Sequence, residues 1–101
     1  MAGQPPSQLS EKIAKQIAQI AKESVKIDVE ILQFLKEDFE EIRRLAKKEG
    51  LSPAGLMLAI LDGIKKGLVE GGVESFRLVR SILRRSEEEI ASLQKRWDER
   101  G

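Results

Sequence analysis

Lys47-Lys48-Glu49-Gly50-Leu51-Ser52-Pro53 decides the fold. Two lysines followed by a glycine suit a helix C-terminus: cations answer the negative end of the helix dipole, and glycine takes the left-handed backbone that closes the last turn. Ser52 then stands as a natural N-cap, with Pro53 at the first helical position. One helix stops and another starts within a few residues, so the chain turns sharply between two packed helices.

Downstream, Gly55, Ala59, Gly63, Gly67 and Gly71 recur every four residues, beside Leu56, Ile60, Ile64 and Leu68. Glycine inside a helix costs about 0.5–1 kcal/mol relative to alanine, so the stripe needs a return. The expected return is a close approach by another helix along Gly55, Ala59, Gly63 and Gly67. Gly71-Gly72 marks the end of this helix (53–70), or a kink in a longer one. A third periodic stretch, over about 73–99, places Phe76, Val79, Leu83, Ser86, Ile90, Leu93 and Trp97 at alternating spacings of three and four.

Upstream, Ile13, Ile17, Ile20, Ser24, Ile27 and Ile31 also alternate four and three, a period of about 3.5 that belongs to helix-on-helix packing. The pattern moves on through Leu35, Phe39 and Ile42, which predicts one helix over about 9–49, with an interruption near 24 as the alternative. Inside it Val25-Lys26-Ile27-Asp28-Val29 alternates apolar and polar, so the minority expectation is a short strand at 24–29 that pairs only with its copy in another chain. Residues 1–8, with Pro5 and Pro6, read as a flexible lead-in to a single helical domain over 9–101. The expected fold is all-α, an antiparallel helical hairpin or bundle.

Composition narrows function more than it defines it. The 101 residues include no Cys and no His, which removes thiolate and imidazole metal sites and the commonest catalytic nucleophiles and bases. No cofactor, metal, small-molecule substrate or enzymatic activity is expected. The absence of both Thr and Asn suits a thermophile or a designed helical chain, although glycines within helices sit poorly with idealised design. Leu51–Val69 has the length of a membrane span but carries Asp62, Lys65 and Lys66, so it reads as a buried helix. With no leader pattern in Met1–Ser10, the expected location is cytoplasmic. Glu37, Asp38, Glu40 and Glu41, and later Glu87–Glu89, spread around their helices as solvated faces.

The basic residues are the sharper signal. Eighteen Lys+Arg against 17 Asp+Glu leave a net charge of +1, yet Arg77, Arg80 and Arg84 share one helix face with Arg85 adjacent. These four are candidate phosphate contacts, Arg being the better fork for an oxyanion. The competing expectation pairs Arg84 with Glu88 and Arg85 with Glu89 beside an oligomer seam.

Ile42-Arg43-Arg44-Leu45-Ala46-Lys47-Lys48-Glu49-Gly50-Leu51-Ser52-Pro53-Ala54, continued by Leu61-Asp62-Gly63-Ile64-Lys65-Lys66-Gly67, resembles the helices and turn of ribbon-helix-helix DNA-binding repressors. The match is an amphipathic helix ending in Ala-x-x-x-Gly, a Leu-Ser turn, and a second helix ending in a basic pair. In that family a strand before the first helix pairs in the dimer and enters the major groove. The resemblance implies Val25, Ile27 and Val29 toward the core, Lys26 and Asp28 toward DNA, and Ser52 as a phosphate contact at a helix N-terminus.

Apolar residues off the main stripes (Val25, Val29, Leu32, Phe34 and Leu78) are surplus to one core and predict a homo-oligomer. Its expected seam is Ile13, Ile17, Ile20, Ile27 and Ile31 with Phe76, Val79, Leu83, Ile90, Leu93 and Trp97. The leading expectation is therefore a self-assembling structural or protein-interaction module. A dimeric ribbon-helix-helix DNA-binding regulator comes second, and an amphipathic lipid- or granule-surface protein third.

Overall fold

The computed structural model describes residues 7–99, and those residues form four helices and no strand: α1 (Gln8–Glu23), α2 (Ile27–Lys48), α3 (Pro53–Glu70) and α4 (Phe76–Glu99). Residues 1–6 of the expected lead-in lie outside the described residues. Its last two do not behave as a lead-in: Ser7 caps α1, its hydroxyl accepting from Leu9 and Ser10 N–H, and Gln8 is the first helical residue.

The helix ends follow from local chemistry. Gly50 (φ +73°) and Gly72 (φ +92°) both adopt the left-handed backbone. At each, the following residue reaches back five positions, Leu51 N–H to Ala46 O at 2.9 Å and Val73 N–H to Leu68 O at 2.9 Å, the hydrogen bond that seals a glycine-terminated helix. Ser52 opens α3, its hydroxyl accepting from Gly55 N–H at 3.0 Å. The helix expected from 73 begins instead at Phe76, because Ser75 supplies the N-cap, accepting from Leu78 N–H at 3.2 Å.

The long first helix is two. α1 stops at Ser24, extended at φ −101° and ψ 143°, and α2 restarts at Ile27 after a Lys26 that makes no side-chain cap. The alternating run at 24–29 is thus a turn followed by the first turn of α2, and the strand expectation is not met in the single chain. Val25, the residue that a strand would turn inward, is 98% exposed. No second strand is at hand to satisfy its backbone, whereas a helix satisfies its own.

This break lets α1 and α2 fold against each other, and α3 and α4 complete the bundle. Consecutive helices are antiparallel: Glu49 at the end of α2 meets the start of α1, and Gln94 late in α4 donates to Pro53 O at 3.0 Å. Alternate helices run parallel. Arg85 pairs with Asp28 at 2.8 Å near the start of α2, and Arg43 lies 5.0 Å from the centre of the Trp97 ring near its end, so α4 tracks α2 in the same direction.

Ile13, Ile17, Ile31, Val79, Ile90 and Leu93 are therefore core residues of one chain, buried among Leu35, Phe39, Ile60 and Ile64. Ile20, Ile27, Leu83 and Trp97 pack half-buried on that core. The seam expected between copies lies within one. Phe76 is the exception, with its ring 72% exposed. Ile82 takes the deep position in α4 instead, one residue from the expected Leu83.

Candidate interaction surface

The closest packing is between α1 and α3, and it fixes which surfaces remain outside. A Cβ on Gly63 would stand 2.6 Å from Ser10 O and 2.9 Å from Ile13 Cβ. On Gly67 it would stand 2.6 Å from both Ala14 O and Ile17 Cβ, and on Gly71 it would be 2.5 Å from Ala21 Cβ. Each step of four on α3 matches a step of four on α1, so the helices are parallel and in register. Gly55 is different: its Cβ would meet only Ser52 Oγ at 3.4 Å and Leu51, ordinary contacts within its own cap. The close-approach stripe is thus Gly63, Gly67 and Gly71, with Ala59 buried beside it and Gly55 outside it. The α1 half of the contact, Ser10, Ala14 and Ala18, escaped the sequence reading, although its small residues also recur every four.

At the lip of this contact Ser10, 1% exposed, donates its hydroxyl to Asp62 Oδ2 at 2.6 Å, and Lys66 stands 3.2 Å from the same oxygen. The Ser10 hydrogen bond, joined by Lys66 and Lys65, holds the Asp62 carboxyl below its ordinary range, against the smaller opposite effect of burial. Ser86 is the counterexample in the core: fully buried on α4, its hydroxyl has no hydrogen-bond partner among the described residues.

With α1 and α3 committed to each other, two outer surfaces carry much of the remaining apolar area, apart from Val25 in the α1–α2 turn and Leu78 on α4. The first spans α3 and α4. Leu58, Asp62, Lys65 and Val69 fall on one face of α3, and Leu58 and Val69 are 68% and 62% exposed. Leu58, Leu61, Asp62 and Lys65 join Arg80, Leu83, Arg84 and Glu87 across a shallow depression of about 490 Å³. Around the α4 edge Arg77, Arg80, Ser81, Arg84, Arg85 and Glu88 line a second open depression of about 570 Å³. Arg80 lies 5.7 Å from the centre of the Phe76 ring. Among the described residues Arg77, Arg80 and Arg84 make no ion pair, and the expected Arg84–Glu88 and Arg85–Glu89 pairs are absent. Arg85 is spent on Asp28.

The second surface is the outer side of α2. Val29, 48% exposed, and half-buried Leu32 line an open depression with Gln33, Lys36 and Glu37. Residues 27–41 hold six carboxylates and one lysine, whereas residues 76–86 hold four arginines and no carboxylate. A net charge of +1 therefore conceals a mainly acidic stretch of α2 and a basic first half of α4.

The other candidate phosphate contacts do not join the arginines. Ser52 sits at the far end of α4, beside Arg43, Gln94 and Asp98, with its hydroxyl already engaged by the cap of α3. Lys26 is exposed in the α1–α2 turn. Among the described residues no group of His, Cys, Asp or Glu is placed to hold a metal ion, and no helix is long and apolar enough to cross a membrane. Comparison with protein-family models, with curated proteins and with solved structures found no match to this chain.

Proposed function

We propose that this chain is a non-enzymatic helical module that acts by associating with copies of itself. One observation carries the reading: a core complete within one chain still leaves Leu58, Val69, Phe76 and Val25 outside it, each more than half exposed. Large exposed apolar side chains on a small fold mark an association surface when charged groups rim them, as Lys65, Arg80 and Arg84 rim Leu58, Leu61 and Leu83 here. The cytoplasm is the proposed setting, where a cysteine-free fold loses nothing. Light scattering over a concentration series tests it. A mass that climbs above the monomer in the micromolar range is expected, and a constant monomer mass rejects the proposal.

A second reading, contact with nucleic-acid phosphates, rests on Arg77, Arg80 and Arg84 having no ion pair among the described residues. It extends the repressor resemblance only as far as charge, since 24–29 supplies no strand in the single chain. Its test is duplex-DNA binding that falls steeply with salt and is lost in the Arg77/Arg80/Arg84→Ala variant.

A further inference from the structure

The two flanks are unlike each other in charge but alike in their exposed apolar content, and that combination specifies a geometry of assembly. We infer that the α3/α4 depression of one protomer receives the outer face of α2 from a second copy, head to tail. The inference rests on the self-association reading and names its surface.

Three features favour a second copy as the occupant. Leu58, Leu61 and Leu83 offer an apolar floor, and Val29 and Leu32 on the outer side of α2 offer an apolar patch of similar residue types. Lys65, Arg80 and Arg84 rim the floor beside Glu87 and the already engaged Asp62, while on the α2 face Glu37 and Glu40 follow Val29 and Gln33 at spacings of four and three, beside Lys36. None of Arg80, Arg84, Glu37 and Glu40 makes an ion pair among the described residues; Glu37 accepts only from Gln33 Nε2 at 3.0 Å, and Arg80 lies by the Phe76 ring, so their charges remain open to a partner. Basic groups outnumber acidic ones on the α3/α4 flank and carboxylates outnumber Lys36 on the α2 face, so joining unlike flanks opposes fewer equal charges than a two-fold contact through one patch. Joining unlike flanks leaves the opposite flank of each copy open, so growth continues past the dimer into a ring or a filament.

The experiment uses the full chain and two charge-reversed variants, Arg80→Glu/Arg84→Glu and Glu37→Lys/Glu40→Lys, whose altered side chains are all exposed. Circular dichroism confirms that each remains helical, and sedimentation velocity reads assembly. The wild-type chain is expected to form species beyond the dimer that recede as salt rises from about 50 to about 500 mM, where screening shortens to a few ångströms. Each variant alone should be a monomer, and an equal mixture of the two should assemble again, because reversed floor and reversed face suit each other. A wild-type chain that assembles while both variants assemble equally well overturns this interface and leaves self-association standing. A wild-type chain that stays monomeric overturns both. A monomer that binds single-stranded oligothymidylate and loses it with Arg80→Glu/Arg84→Glu gives the depression to a polyanion and equally overturns the proposal.

Discussion

The two parallel helix pairs are held together in opposite ways. α1 and α3 meet backbone to backbone, with Gly63 and Gly67 leaving no room for even a β-carbon beside Ser10 O, Ala14 O and Ile17. α2 and α4 meet through long side chains, with Asp28 on Arg85 at one level and Arg43 over Trp97 at another, and with Phe39, Ile42 and Ile90 buried in the core they share with α3. The first pair gains van der Waals contact along two bare backbones and gives up helix propensity. The second keeps propensity and leaves charge outside. A contact made by backbone cannot adapt, whereas one made by side chains can, and mutation should separate them.

Gly67→Ala is expected to be the most damaging small change. The new methyl meets a carbonyl oxygen and a β-carbon, neither of which can rotate away, so a loss of about 2–3 kcal/mol in chemical denaturation is predicted, even after the gain in helix propensity. Gly55→Ala, with ordinary contacts, should instead be neutral or gain about 0.5 kcal/mol. Equal effects at the two positions would dissolve the distinction between the pairs.

Glu49 comes next. Its carboxylate accepts from Leu9 N–H at 2.7 Å and from the Ser7 hydroxyl at 2.8 Å, tying the start of α1 to the end of α2. Glu49→Ala should cost about 1 kcal/mol, the value of a helix N-cap, read as a lower melting temperature. Ser86→Ala should move the other way by about 1 kcal/mol, since it removes a buried hydroxyl that has no partner among the described residues. Asp28→Asn breaks a half-exposed ion pair and should cost no more than about 0.5 kcal/mol.

Acid sharpens the same contrast. The folded state lowers the Asp62 carboxyl below its ordinary range through Ser10 and Lys66, so the unfolded chain binds that proton more tightly. The stabilisation is present above the ordinary carboxylate range and is lost as pH falls through it. Asp62→Asn should therefore narrow the gap between melting temperatures measured at neutral and at acid pH. An unchanged gap would mean that Ser10 and Asp62 do not hold the α1–α3 lip.

Much of this architecture is legible in the residues, for identifiable reasons. The Gly50–Pro53 turn is a local event, written by glycine, serine and proline within a few positions, and it appears as expected. The glycine stripe announces a close helix, but only the partner's geometry tells that Gly55 lies outside the contact and that Ser10, Ala14 and Ala18 supply the other side. The break at Ser24–Lys26 carries no glycine or proline, and the isoleucine spacing runs unbroken across it, so periodicity overextends α1 and sends its apolar stripe toward another chain. At the candidate surface, the spacing of Arg77, Arg80 and Arg84 forecasts their shared face. It does not forecast that Asp28, 57 residues away, takes Arg85 out of the group.

The parallel register of α1 with α3 underlies the rest, because it determines which faces of α2, α3 and α4 remain outside. Spin-label distances test it directly, since a chain without cysteine carries labels only where they are introduced. Labels at Lys22 and Glu70 should lie close together, and labels at Lys22 and Ala54 farther apart by up to about 24 Å, sixteen residues of helix at 1.5 Å each. A short Lys22–Ala54 distance with a long Lys22–Glu70 distance would make α1 and α3 antiparallel and contradict the account.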